Sequence, residues 1–153
     1  MSRTRTHVAH GLIELHTPPF ASAPQQARDL ALAATMAWGL PLPVDEVILV
    51  VGELVTNAVR WARTPIGVRL AMRQGVVRIE VADGDCRAPR MATPYGTDER
   101  HRGLIVVAAL ADRWGCERRR RGKVVWAEFD VATGAAAQSA CPVAVDCAMA
   151  PRT

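Results

Sequence analysis

The stretch VVGELVTNAVRWA, residues 50–62, decides how this chain is read. Together with Val47 before it, Val50, Val51, Leu54 and Ala58 recur at helical spacing and form an apolar stripe that must face a core. Glu53 and Asn57 stand four residues apart among them, so a carboxylate and an amide share one flank of the same helix. An acid and an amide held together on a half-buried helical flank could be a solvated pair. They could equally be the two groups a reaction needs.

Working outward, two runs that alternate with a period of two follow this helix. PIGVRLAMR and VVRIEVAD are separated by Gln74-Gly75, the signature of a β-hairpin. Val68, Leu70 and Met72 then face one side, as do Val77, Ile79 and Val81. Upstream, GLIELH near residues 11–16 reads as a short strand, prolines 18, 19 and 24 break it, and residues 22–38 read as a helix. In that helix Ser22 is placed as the cap, with Ala27, Leu30, Ala31 and Ala34 along the buried stripe. Residues 83–102 are polar and carry Pro89, Pro94, Gly84 and Gly96; a loop of about twenty residues in a small domain is uncommon and usually functional. A helix opens at Gly103, and RWGCERR with GKVVWAEFDV makes a closing hairpin. Helices set against a largely antiparallel sheet give an α+β two-layer sandwich.

Length and composition fit that reading. The 153 residues are enough for one domain, and 50% of them are apolar against 22% charged, which suits a packed core. Residues 1–10 are expected to be flexible, residues 11–131 to form the domain, and residues 132–153 to be a mostly disordered tail. There is no apolar run of about 18 residues to span a bilayer. MSRTRTHVAHG has charge but no apolar segment behind it, so no secretory signal and a cytoplasmic location are expected. Cys86, Cys116, Cys141 and Cys147 form no CxxC and read as reduced thiols. Net charge is +4, carried almost wholly by arginine, with Lys123 the one lysine. The basic run ERRRRGK reads as a solvated hairpin turn; no aromatic platform accompanies it, so a nucleic-acid partner is not expected.

Three pieces carry chemistry on this frame: Glu53 with Asn57, Asp83-Gly84 at the end of a strand, and Arg102-Gly103-Leu104 at a helix start. Each alone has an ordinary structural explanation. In this order, ELVTNAVRWA, VADGD, ERHRGLIVVAALADRWG and GKVVWAEF resemble the boxes of the GHKL-type ATP-binding fold shared by histidine kinases and DNA gyrase. More narrowly they resemble the anti-sigma-factor serine kinases and their actinobacterial relatives. The resemblance covers about residues 10–131 and implies ATP and Mg²⁺ as cofactors.

Under that resemblance Asn57 would offer its amide oxygen to Mg²⁺, and Glu53 would act as the catalytic base. Asp83 would accept from the adenine amino group, with Gly84 letting the backbone pass close to the ring. Arg102, Gly103 and Leu104 would hold phosphate at the helix N-terminus, and Arg60 would contact phosphate or partner. The loop over residues 85–101 would be the ATP lid. The implied activity is phosphorylation of an anti-sigma-factor antagonist, with a sigma factor as a further partner and a homodimer as the assembly seen in such kinases. The alternative is a non-catalytic module that grips a partner around a degenerate ATP site. Three departures favour it: Asp85 and Cys86 replace a glycine-bearing turn, His101 stands for a glycine, and Val124 for a threonine; Trp61 also stands where a histidine is often found. The four tryptophans, Trp38, Trp61, Trp114 and Trp126, are expected to fill the core or an interface.

Overall fold

The computed structural model describes residues 3–89 and 102–131, of which Arg102 by its backbone alone. The expected lid from residue 90 to 101, His101 within it, and the expected tail from residue 132 lie outside the described residues. The chain is an α+β two-layer sandwich: the described residues form six strands in the order β1-β2-β3-β4-β6-β5, every neighbour antiparallel, with three α-helices on one face. The strands are β1 Arg5–Ala9, β2 Leu12–Thr17, β3 Ile66–Arg73, β4 Val76–Asp83, β5 Arg113–Arg119 and β6 Gly122–Asp130. The helices are α1 Ala23–Trp38, α2 Val44–Asn57 and α3 Arg102–Leu110.

The first strand corrects the sequence expectation of a flexible start. Arg5–Ala9 pairs antiparallel with Leu12–His16, although all five residues are exposed. Backbone hydrogen bonds hold it, so it leaves no apolar alternation to read. A second correction concerns α1. Ser22 occupies the N-cap position, but its hydroxyl caps no backbone N–H and accepts instead from Gln26 Nε2 at 3.3 Å. The row Ala23, Ala27, Ala31 and Ala34 is fully buried, and side chains this small let α1 come close to α2.

The helix read over residues 44–62 has two parts. Through Asn57 it is α-helical, and Ala58–Ala62 then forms a π-helical turn, which Arg63 N–H closes onto the Ala58 carbonyl at 3.3 Å. The π-helical turn is five residues long and ends the helix, so no apolar repeat follows it whose shift in phase could reveal it. The turn between β3 and β4 does follow its sequence. Gln74 and Gly75 both sit at positive φ, 51° and 76°, as a two-residue hairpin turn of the primed type requires.

Period-two alternation sends Ile13 and Leu15, Ile66, Val68 and Leu70, Ile79 and Val81, and Val125, Ala127 and Phe129 to the helix side, with Val77, also buried, in step with Ile79. The outer face is a charged ladder. Arg78 donates to Glu80, Glu128 and Glu117 at 2.7, 2.8 and 3.1 Å, and its guanidinium lies 4.3 Å from the Trp126 ring centroid. Trp126 in turn lies across Gly115 on β5, where an added Cβ would come within 2.8 Å of the indole. Arg113 pairs with Glu128 and Asp130. Because Arg78 joins three carboxylates and a ring, Arg78→Ala is expected to cost about 1–2 kcal/mol. Arg119→Ala, which removes one exposed pair with Glu117, should cost less than about 0.5 kcal/mol. Urea unfolding of both variants tests this, and equal losses would show the ladder to be inert.

Two acids on this ladder, Glu128 and Asp130, titrate low. Burial pushes Glu128 up, but hydrogen bonds from Arg113 and Arg78 outweigh it and hold it below its ordinary value of 4.5. Arg113 likewise holds Asp130 below 3.8, and on the helix side Arg87 brings Asp85 down to about 2. Lowered values in the folded state mean that protons bind the unfolded chain first. These contributions are therefore complete above the ordinary values and are lost as pH falls, for Asp85 through about 2. The melting temperature is expected to be flat from neutrality to about pH 5 and to drop below about pH 4. A melting temperature that holds steady to pH 2 in circular dichroism would contradict it.

Candidate functional site

The site forms where two core-facing rows end in charged residues. On β4 the row Val77, Ile79, Val81 continues to Asp83, and on β6 the row Phe129, Ala127, Val125 continues to Lys123. Register sets Asp83 opposite Lys123. Lys123 Nζ donates to Asp83 Oδ1 at 2.9 Å and to the Asp85 carbonyl at 3.1 Å, and the two side chains are only 7% and 3% exposed. Asp83 Oδ1 also accepts the Asp85 N–H at 2.8 Å. A charge this buried is tolerable only when paired, and here each partner neutralises the other.

Above this floor is a cavity of about 340 Å³. Leu54, Ala58, Val81, Leu104 and Val125 give it apolar walls, Asn57 adds an amide, and Trp61 stands on its rim. The beginning of the following loop contributes Asp85, Arg87, Ala88 and Pro89. Asp85 shapes that loop: its carboxylate accepts Arg87 N–H at 2.9 Å and Arg87 Nε at 3.0 Å. Gly84 donates its N–H to Thr64 Oγ1 at 2.7 Å, which ties the end of β4 to the segment after the π-helical turn.

Packing of α3 against α2 assembles the rest. A Cβ added at Gly103 would come within 2.7 Å of Glu53 Oε2 and 3.3 Å of both Asn57 amide atoms. The acid and the amide of α2 therefore lie directly beneath the first turn of α3, a position that the absence of a side chain at Gly103 keeps open. Free N–H groups in a first helical turn favour negative charge, whether a carboxylate or a phosphate. Glu53 and Asn57 are both half-buried.

Of the sequence candidates, the structure brings Asn57, Asp83 and Leu104 to the cavity wall and sets Glu53 and Gly103 beside Asn57. Gly84 is exposed just beyond the floor, and Arg60 is exposed and does not line the cavity. Lys123 was missed as a site residue. Val124, taken from the sequence as the strand residue of interest, pairs with Ala82 and faces the other side of the sheet from Lys123 and Val125. Of the tryptophans expected to fill the core or an interface, Trp114 is buried, whereas Trp61 is 41% exposed and lines the cavity. Among the described residues no three His, Cys, Asp or Glu side chains converge on a common point. Also among the described residues, no helix is long and apolar enough to cross a membrane.

A cavity of about 340 Å³ with apolar walls, a charged floor and an amide in its wall is of the size and polarity of small-molecule sites. Fold and site together define a two-layer nucleotide-binding domain. The chain belongs to the histidine kinase-like ATPase domain family, whose profile matches residues 20–129. Membership implies nucleotide binding, generally with Mg²⁺. An uncharacterized protein of Streptomyces coelicolor is 43% identical over 68 residues, covering 42% of this chain and 65% of that protein.

Proposed function

We propose that this chain is an ATP-dependent serine/threonine protein kinase of the anti-sigma-factor type, acting on an anti-sigma-factor antagonist. The observation that carries the reading is the meeting of Glu53 and Gly103 with Asn57, which lines the cavity. A nucleotide whose base lies on the Asp83 floor would run its phosphates toward that point. The donor set fits Mg²⁺: Asn57 offers an amide oxygen and keeps its own charge neutral, leaving room for phosphate oxygens. Bound there, the ion would offset phosphate charge.

Glu53 is the base in this scheme. Its carboxylate takes the proton of the partner's serine hydroxyl as the serine oxygen bonds to the terminal phosphorus and the bond to the ADP oxygen breaks. The first turn of α3 offers N–H groups to phosphate oxygens. A sigma factor as a second partner, and a homodimer, belong to the same proposal.

Calorimetric titration of ATP, with and without Mg²⁺, is the test. Wild type is expected to bind in a Mg²⁺-dependent manner, and Asn57→Ala to weaken that binding by about tenfold or more, equivalent to about 1.4 kcal/mol. Glu53→Gln should keep ATP binding while abolishing phosphate transfer to a purified antagonist, read by mass spectrometry of the serine. Absence of binding at millimolar ATP, from a folded sample, would sink the kinase reading and leave a partner-gripping module.

A further inference from the structure

The outer face of the sheet carries charges of both signs, and along most of it they balance. Glu14, Glu80, Glu117, Glu128 and Asp130 are each paired with Arg69, Arg78, Arg113 or Arg119. The balance fails at one end. There Arg3, His16 and Arg121 line a groove of about 350 Å³, and none of the three has a hydrogen-bond or ion-pair partner among the described residues. Asp83 is the one acid among the lining residues, and Lys123 already neutralises its carboxylate.

Strand register explains the groove. His16 stands opposite Gly67, and Gly67 opposite Ala82, so this row of the outer face has a glycine and an alanine where the next has Arg69 and Glu80. The His16 ring leans across Gly67, with its Nδ1 3.5 Å from where a Cβ would sit. Thr64 and Gly84 line the groove as well, joined by the bond from Gly84 N–H to Thr64 Oγ1. A glycine inside a strand weakens the strand and commonly marks a place where another backbone comes close. Guanidinium groups present planar forks that match carboxylates. The volume is at the scale of small-molecule sites, more than a lone inorganic ion fills.

We infer that this groove is a docking site for an extended acidic segment of a partner protein, its backbone over Gly67 and Ala82 and its carboxylates on Arg3 and Arg121. No residue of α2 or α3 takes part, so the site stands whether or not the cavity holds a nucleotide.

The test is fluorescence anisotropy of a fluorescein-labelled peptide of alternating glutamate and glycine, titrated with the full chain at low ionic strength. Wild type is expected to bind it with a Kd below about 1 mM, and to ignore a peptide of alternating lysine and glycine. Arg121→Ala should weaken binding by about fivefold or more. Arg120→Ala, its neighbour outside the groove, should change binding by less than about twofold. Gly67→Val fills the floor and leaves the charge untouched. Gly67 has no positive φ and a Cβ there meets only ordinary contacts, so the fold should hold while binding falls by about tenfold or more.

Equal losses in the two arginine variants would show diffuse attraction to a basic surface and overturn the inference. Binding unmoved by Gly67→Val, or no binding by wild type, overturns it equally. Inorganic phosphate at matched ionic strength should not displace the peptide; displacement would make the groove an oxyanion site instead. Circular dichroism melting checks each variant, and if Gly67→Val does not fold, the arginine pair decides.

Discussion

Gly122→Ala is expected to destabilise the fold by more than about 4 kcal/mol, well beyond the ordinary range for one methyl group. Two independent causes act together. Gly122 holds φ at +124°, a conformation that residues with a Cβ rarely adopt. An added Cβ would also fall on the carbonyl oxygen of Asp83, with the Gly84 Cα 2.8 Å away, and backbone cannot swing aside as a side chain can. Relief would require prising the start of β6 from the end of β4, where Lys123 faces Asp83. The controls are Gly39→Ala and Gly75→Ala: both glycines have positive φ, but an added Cβ at either meets nothing within 4 Å. These should cost about 1 kcal/mol each. Urea unfolding of the three variants separates the causes. If Gly122→Ala unfolds no earlier than Gly75→Ala, the close approach of β6 to Asp83 is not a feature of the folded protein.

The second large effect is expected at the buried pair. Lys123→Met strips the cation from a carboxylate whose side chain is 3% exposed, and should cost about 3–5 kcal/mol. Asp83→Leu leaves the ammonium stranded and should cost a similar amount. Making both changes together removes both buried charges and fills the floor with apolar groups of similar size. The double variant is therefore expected to recover most of the loss, so the energies will be far from additive. It should nevertheless bind no nucleotide, because the donor and acceptor of the floor are gone. A double-mutant cycle from urea midpoints provides the check. Additive losses, or single losses below about 1 kcal/mol, would mean that the pair is solvated in the folded state.

What could be read from the sequence was what local physics determines. The hairpin of β3 and β4 follows from alternation and from a Gln-Gly turn at positive φ, and α2 follows from its valine and leucine repeat. Strand β1 left no trace because exposed residues held only by backbone bonds have no burial pattern. The π-helical turn left none because it ends the helix, with no repeat beyond it to be thrown out of phase. At the site, Glu53 and Asn57 were legible as neighbours on one helix. Their contact with Gly103 depends on how α3 packs on α2, which no short-range pattern encodes. Lys123 was overlooked because it closes a run of arginines and reads as one more solvated charge. A signal did exist: Lys123 keeps step with Val125, Ala127 and Phe129, and Asp83 with Val77, Ile79 and Val81. Charged residues at the ends of two core-facing rows require partners, and the sheet makes them each other's.

The burial of Lys123 also has a chemical consequence. In these 153 residues it is the one side chain bearing a primary amine, and it is 6% exposed. Acylating reagents and lysine-directed proteases therefore have a single side-chain target, and the fold conceals it. Modification at that residue, counted as one mass increment or none, would report how often this end of the sheet opens. Compared with the rate of whole-chain unfolding, it would tell whether the nucleotide end of the sheet breathes separately from the core.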